Sequence, residues 1–183
     1  MNAAELTDSL AEAWDALLHT PLFGIALTLA VPLYRAGPDI RKLLLPVAVG
    51  VTVGSLTAMV SAVLIVRLMG GNAALAATFA PKSATTPIAM AVADAGGGIV
   101  SLAAVLPVLT GVLGAVLAPW VLDRLRVRDP RVRGLAIGVS SHGIGTARVL
   151  AEGPKTGAFS ALAMACSGVL TALLAPLVLA MTG

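Results

Sequence analysis

The sequence predicts an all-α fold, a polytopic helix bundle built in a lipid bilayer, on three observations. Of the 183 residues, 58% are hydrophobic and 11% are charged, whereas a soluble domain averages roughly 45–50% apolar and about 25% charged residues. The apolar runs do not alternate with polar residues, as the strands of a membrane barrel would. The 19 glycines and 11 prolines fall largely inside those runs, and membrane helices tolerate them because neighbouring helices satisfy the backbone groups they free.

Taken in order, residues 1–15 are acidic and mildly amphipathic, a surface segment. No Lys or Arg precedes Arg35, so this end lacks the basic region expected of a signal peptide. A span is predicted over 16–34. Residues 43–66, 98–122 and 156–182 are long uncharged or nearly uncharged runs, each sufficient to cross ~30 Å of hydrocarbon. Residues 73–93 and 134–151 differ, being apolar at both ends and polar in the middle. Each reads as two half-helices around an unwound polar break, admissible at membrane depth only where it is buried in protein or lines a wet cavity.

The chain reads as a single domain containing an internal repeat. An offset of 57 residues lays Gly111–Leu122 over Gly168–Leu179 with nine of twelve positions identical, and lays Lys82–Thr85 over Val139–His142. The repeat units are about 73–122 and 134–182. The segment 123–133 carries five arginines, and 35–42 carries Arg35, Arg41 and Lys42. Both are expected on the cytoplasmic side, which requires an even number of crossings between them. If 73–93 enters and returns from one side and 134–151 from the other, the units form an inverted repeat of the kind found in many secondary transporters. Tyr34 and Trp120 stand beside the basic segments as interfacial aromatics. Gly50 with Gly54, and Gly134 with Gly138, allow close helix packing.

The chemistry that can be read from the residues lies in the two breaks. In the first, Thr86 is expected to cap a half-helix 87–93 that has proline at its first position, aiming a positive dipole end at the pocket. Lys82 adds a cation and Ser83, Thr85 and Thr86 add hydroxyls, a set suited to a small carboxylate. The bland alternative is a lysine that snorkels to the surface beside a hydroxyl-capped kink. In the second break Gly143 and Gly145 permit unwinding, Thr146 can cap the half-helix 146–151 that carries Arg148, and Ser140 and Ser141 supply hydroxyls. His142 is open to two readings, a proton exchanger or a neutral histidine hydrogen-bonded within the bundle. An enzyme is not expected, since there is no G-x-S-x-G elbow, no dinucleotide or phosphate loop, no plausible metal set and no cofactor signature. The small net charge of +3 bears on orientation and not on nucleic acid. Cys166 is expected to act as a small buried hydrophobe.

At these breaks the chain resembles the LrgB/CidB family of bacterial membrane proteins. The resemblance is carried by APKSATTPIA (Ala80–Ala89), by the basic link ending in RGLAIG (Arg133–Gly138) and by SSHGIGTARVLAEG (Ser140–Gly153), and it runs from about Pro32 to the C-terminus. It implies residence in a bacterial plasma membrane and two functional classes. One is a carrier of small monocarboxylates such as glycolate, glycerate or pyruvate, as in the related plastid transporter. The other is an antiholin-like regulator of murein hydrolases and lysis, assembling with itself and with an LrgA/CidA-type partner. The pattern departs from the family at the N-terminal end, where about two spans are expected to be missing between Ala30 and Val31.

Overall fold

The computed structural model describes Val31 and residues 33–182, so the expectations for residues 1–30, including most of the span placed at 16–34, lie outside the described residues. The order of elements is α1 (Gly37–Lys42), α2 (Leu44–Leu68), α3 (Ala73–Phe79), α4 (Thr86–Ala95), α5 (Val100–Arg124), α6 (Pro130–Leu150) and α7 (Pro154–Thr182). No strand occurs among the described residues. The spans α2, α5 and α7 are long and apolar enough to cross a membrane, and they fall within two residues of the predicted runs at either end. Many of their large apolar side chains are exposed, among them Val53, Leu64, Val116 and Leu173, as suits helices whose outer surface meets lipid.

The elements α3 and α4 form a hairpin. Helix α3 ends in a turn closed by Lys82 N–H to the Phe79 carbonyl and Ala84 N–H to that of Pro81, and α4 begins at Thr86. At the far end, Ile99 N–H donates to Thr78 Oγ1 across 2.8 Å, although 21 residues separate the two. Two collinear half-helices would hold those residues well over 20 Å apart, so the chain enters and comes back.

Helix α6 also folds back, at a single residue. All of Pro130–Leu150 has helical backbone except His142, at φ 38° and ψ −132°. Arg133 Nε donates to Glu152 Oε2 at 3.0 Å. Nineteen residues of straight helix would place them about 28 Å apart at 1.5 Å per residue. Ile137 and Val149 likewise share one buried cluster with Leu122. The unwound stretch expected over Ser140–Thr146 is therefore corrected to a one-residue reversal. Gly143 and Gly145 keep helical backbone instead of unwinding, and what Gly145 supplies is room, for a Cβ there would overlap Ser141 and stand 2.9 Å from Ile137 Cγ2.

These returns fix which ends share a side. Helix α2 leads through a short loop into the first hairpin, the hairpin hands the chain to α5 on the same side, and α5 runs back. Segment 35–42 and the arginine loop thus share the opposite side. Lys155 Nζ to Asp39 Oδ2 at 2.6 Å and Arg133 to Asp123 at 2.6 Å tie α1, α5, α6 and the start of α7 together there. Two apolar cores hold the spans. One, on the arginine-loop side, joins Val47 and Val51 of α2 to Val139, Phe159 and Ala163, with the partly buried Cys166 packed against it. The other, on the far side, joins Met59 and Val63 of α2 to Ala76, Ala80, Ala175 and Val178.

Candidate functional site

The tips of the two hairpins meet at a cavity of about 950 Å³. Lys82 and Ser83 come to it from the first hairpin and Ser140 and Ser141 from the second. Its walls are Gly50, Gly54 and Ala58 of α2 on one side and Thr110, Gly114 and Leu117 of α5 on the other. From the tips it runs toward the arginine loop, reaching Pro46, Val121 and Val132. It is an apolar vestibule with a polar end.

Among the described residues, Lys82 is the one charged side chain lining this cavity. Its Nζ donates to Ser83 Oγ at 3.3 Å, and no described carboxylate pairs with it. Ser140 Oγ and Ser141 Oγ stand 3.0 Å apart, and Ser140 Oγ also donates to the Ile137 carbonyl at 3.4 Å. A cation with three hydroxyls in an otherwise apolar wall can hold a small anion by charge-assisted hydrogen bonds.

The remaining candidate residues are placed differently. The N-cap of α4 is Thr85 and not Thr86, which is the first helical residue, and neither hydroxyl caps the helix. The expected threonine cap is thus corrected: Pro87 stands one position further into the helix than anticipated, and the tip turn leaves the first amides of α4 without a side-chain acceptor. Thr85 and Thr86 are half-buried but do not line the cavity. Thr146 does not cap a half-helix either, because the second half of α6 resumes directly after His142. Its Oγ1 donates to the His142 carbonyl at 2.7 Å and accepts from Ser160 Oγ at 2.8 Å. Arg148 is exposed on the returning half of α6, and Gly143 and Gly145 serve the packing of the tip.

His142 is buried and its ring points away from the cavity into α5, where Nε2 lies 2.6 Å from the Pro107 carbonyl oxygen. A carbonyl oxygen only accepts, so Nε2 carries the hydrogen. The contact requires Gly111, where a Cβ would stand 2.9 Å from the ring, and Gly114, where a Cβ would overlap Ser141 Oγ. Pro107, Thr110, Gly111 and Gly114 were not singled out from the sequence. The signal available was the Gly-x-x-Gly spacing beside an in-helix proline in α5, an ordinary sight in membrane helices.

On the arginine-loop side Arg131, Arg133 and Lys155 are paired with carboxylates. Arg133 sits between Glu152 and Asp123, and the hydrogen bond it donates to Glu152 above all raises its pKa further. Asp129 caps α6 by accepting from Arg131 N–H at 2.9 Å. The Arg131 side chain, followed by that amide, holds the Asp129 carboxyl at about 2.

The sequence profile of the LrgB-like family matches residues 15–181. The chain belongs to this family. It is 33% identical over 163 residues to the uncharacterized protein YwbG of Bacillus subtilis (strain 168), covering 89% of this chain and 72% of the relative. It is 32% identical over 154 residues to the chloroplastic plastidal glycolate/glycerate translocator 1 of Arabidopsis thaliana, covering 84% of this chain and 30% of that protein. It is 27% identical over 154 residues to antiholin-like protein LrgB of Bacillus mycoides (strain KBAB4), covering 84% of this chain and 67% of the relative. No solved structure matches the chain. With bacterial relatives of this family and three helices able to span a bilayer, this LrgB-like chain is a multi-pass bacterial membrane protein.

Proposed function

We propose that this LrgB-like protein is a secondary carrier of small monocarboxylates, of the glycolate, glycerate or pyruvate kind. The observation that carries the reading is the shared cavity of Lys82, Ser83, Ser140 and Ser141. A lysine inside a membrane protein is costly, roughly 2.5–3.5 kcal/mol on insertion scales. Its placement beside three hydroxyls, with no described carboxylate to neutralise it, leaves one positive charge for one carboxylate. The hairpins on which these residues sit enter from opposite sides, and the 57-residue offset relates them. We take this as an inverted repeat with units about 73–122 and 134–182, the architecture that places substrate near the bilayer midplane in many carriers. The likeness to a glycolate/glycerate translocator points the same way.

The test is flux of glycolate, glycerate and pyruvate into liposomes carrying the purified protein. Lys82→Gln is expected to lower flux at least tenfold with the protein still folded and inserted. Equal flux in wild type and Lys82→Gln would remove the anion-binding role, and no flux above empty liposomes would remove the carrier reading.

The relatives named antiholin-like LrgB favour a second reading, a regulator of murein hydrolase activity and lysis that acts by assembly in the membrane with further copies of itself and an LrgA/CidA-type partner. The exposed apolar flank of α5, with Val112, Val116 and Trp120, would supply an assembly face. A protein of this class has no use for Lys82 in a cavity, so a lysis phenotype unaffected by Lys82→Gln, together with absent flux, would favour it.

A further inference from the structure

The cavity occupies only one half of the bundle. Most of its described wall runs from the hairpin tips toward the arginine loop, and it passes the midpoints of α2 and α5 only as far as Ala58 and Thr110. The 57-residue offset pairs Leu113 and Leu117 with the half-buried Leu170 and Leu174, and it gives the other four wall positions of α5 these counterparts on α7: Thr110 to Ser167, Gly114 to Thr171, Ala118 to Ala175 and Val121 to Val178. The counterparts point to the far side, because α7 starts where α5 ends. They are sealed. Val121 is 40% exposed where Val178 is 4% exposed, and Ser167, Thr171 and Ala175 are 3%, 4% and 0% exposed. Ala175 and Val178 pack against Met59 and Val63 of α2 and Ala76 and Ala80 of the first hairpin.

The glycines Gly111 and Gly168, which the offset aligns, are used alike. Gly111, in the first unit, receives His142 and Ile144 of the second hairpin, and Gly168, in the second unit, receives Ile88 of the first, 2.8 Å from where its Cβ would stand. Each tip thus rests on the other unit's long helix at the same position. The sealed stripe also carries hydroxyls where a permanent core would need none. Ser167 Oγ turns back to the Met164 carbonyl of its own helix at 3.2 Å, leaving its packing partners without a bond to break.

We infer that Ser167, Thr171, Ala175 and Val178 line the second half of the pathway, closed in this structure, and that the protein has a second state in which α2 leaves Ala175 and Val178 and opens this stripe to the side opposite the arginine loop. The functional meaning of that state rests on the carrier reading, but its existence is measurable without flux. Membrane proteins built from inverted units expose a central site alternately to either side, and here one unit shows its face open while the other shows the same face shut. The pivot is the stretch of α2 from Gly54, whose Cβ position lies 3.1 Å from Val139 Cγ1, to Ala58, the last α2 residue of the cavity wall before Met59 of the sealed cluster.

The experiment is labelling of single cysteines in a Cys166→Ser background with a membrane-impermeant maleimide, applied to sealed vesicles from each side. Leu117→Cys is expected to react only from the arginine-loop side. Thr171→Cys and Ala175→Cys are expected to react only from the opposite side, at least tenfold more slowly than Met69→Cys at the exposed end of α2, because they wait for the opening. Ser167→Cys, a near-isosteric change, replaces either variant that fails to insert. No reaction of the α7 cysteines from the opposite side while Met69→Cys is labelled to completion overturns the inference, as does reaction from the arginine-loop side. Flux measured on the same preparations separates the two claims. Flux without labelling leaves the carrier and removes this pathway, and labelling without flux leaves the two states and removes the carrier.

Discussion

His142 donates its Nε2 hydrogen to the carbonyl oxygen of Pro107 across 2.6 Å, joining residues 35 apart in the chain. The bond pins the reversal of α6 onto the middle of α5. It also accounts for a histidine in a backbone region that side-chain-bearing residues rarely adopt. His142→Ala leaves a buried carbonyl without this donor while keeping the strained backbone, and is expected to destabilise the protein by about 1–3 kcal/mol. His142→Gln, which can still donate, should recover part of that. Thermal unfolding in detergent measures both, and an unchanged midpoint for His142→Ala would show that the bond does not hold the tip.

Two glycines of similar appearance should respond in opposite ways. A Cβ at Gly138 would run into the Ser160 carbonyl and come within 2.8 Å of Ala163 Cβ, whereas one at Gly50 meets nothing within 4 Å. Gly138→Ala is expected to cost roughly 1–3 kcal/mol through forced separation of α6 and α7. Gly50→Ala should be neutral or stabilising by about 0.5–1 kcal/mol from helix propensity, while adding a methyl to the cavity wall and reducing flux. Equal unfolding midpoints for the two variants would contradict the packing described.

The arginine loop and segment 35–42 are predicted to face the cytoplasm, on the strength of their positive charge. With a Cys166→Ser background and an impermeant reagent outside intact cells, Met69→Cys should be labelled, and Arg128→Cys and Gly37→Cys should not. Labelling of the last two from outside would invert the orientation.

Asp129 supplies a pH dependence with a definite sign. Its carboxyl is held at about 2, below the ordinary 3.8, by the Arg131 side chain and amide. A carboxyl with a depressed folded pKa stabilises above its unfolded value and loses that contribution as pH falls through the folded one. The window is therefore about pH 4 down to about pH 2. Because the pair is more than one-third exposed, solvent screening keeps the effect under about 1 kcal/mol. The difference in unfolding midpoint between wild type and Asp129→Asn, which retains a capping oxygen, should shrink below pH 4 and vanish only below about pH 2. A difference constant across that range would show that the charge contributes nothing.

Much of this architecture was legible before any coordinates. The apolar runs located α2, α5 and α7 to within two residues, since hydrocarbon thickness dictates run length. Pro81 and Pro87 marked the first hairpin's tip, because proline cannot continue a helix that lacks a partner for the freed carbonyl. The second tip was placed in the right segment and given the wrong form. Its polar run suggested unwinding, yet every residue but His142 stays helical. Of the candidate residues, Lys82, Ser83, Ser140 and Ser141 come to one cavity. Thr85, Thr86, His142 and Thr146 do not, because a residue's neighbours along the chain say nothing about which way a hairpin tip is rotated.

What the sequence determined by itself is the solvent, the number of long spans after Arg35, the side on which the arginines gather and the two places where the chain turns. These follow from local quantities, namely transfer free energy summed over a run and the donors that proline removes. The tertiary structure alone decided that α6 reverses at one residue, that His142 looks into α5 and not into the cavity, and that Ser167, Thr171, Ala175 and Val178 are buried while a cavity lies beside α5. A straight helix and one folded back at a single residue have the same composition, the same periodicity and nearly the same backbone hydrogen bonds. The choice between them rests on contacts made at distance, the Pro107 carbonyl and the space at Gly111 and Gly114 for His142 and Ser141, and the Asp123 and Glu152 carboxylates for Arg133.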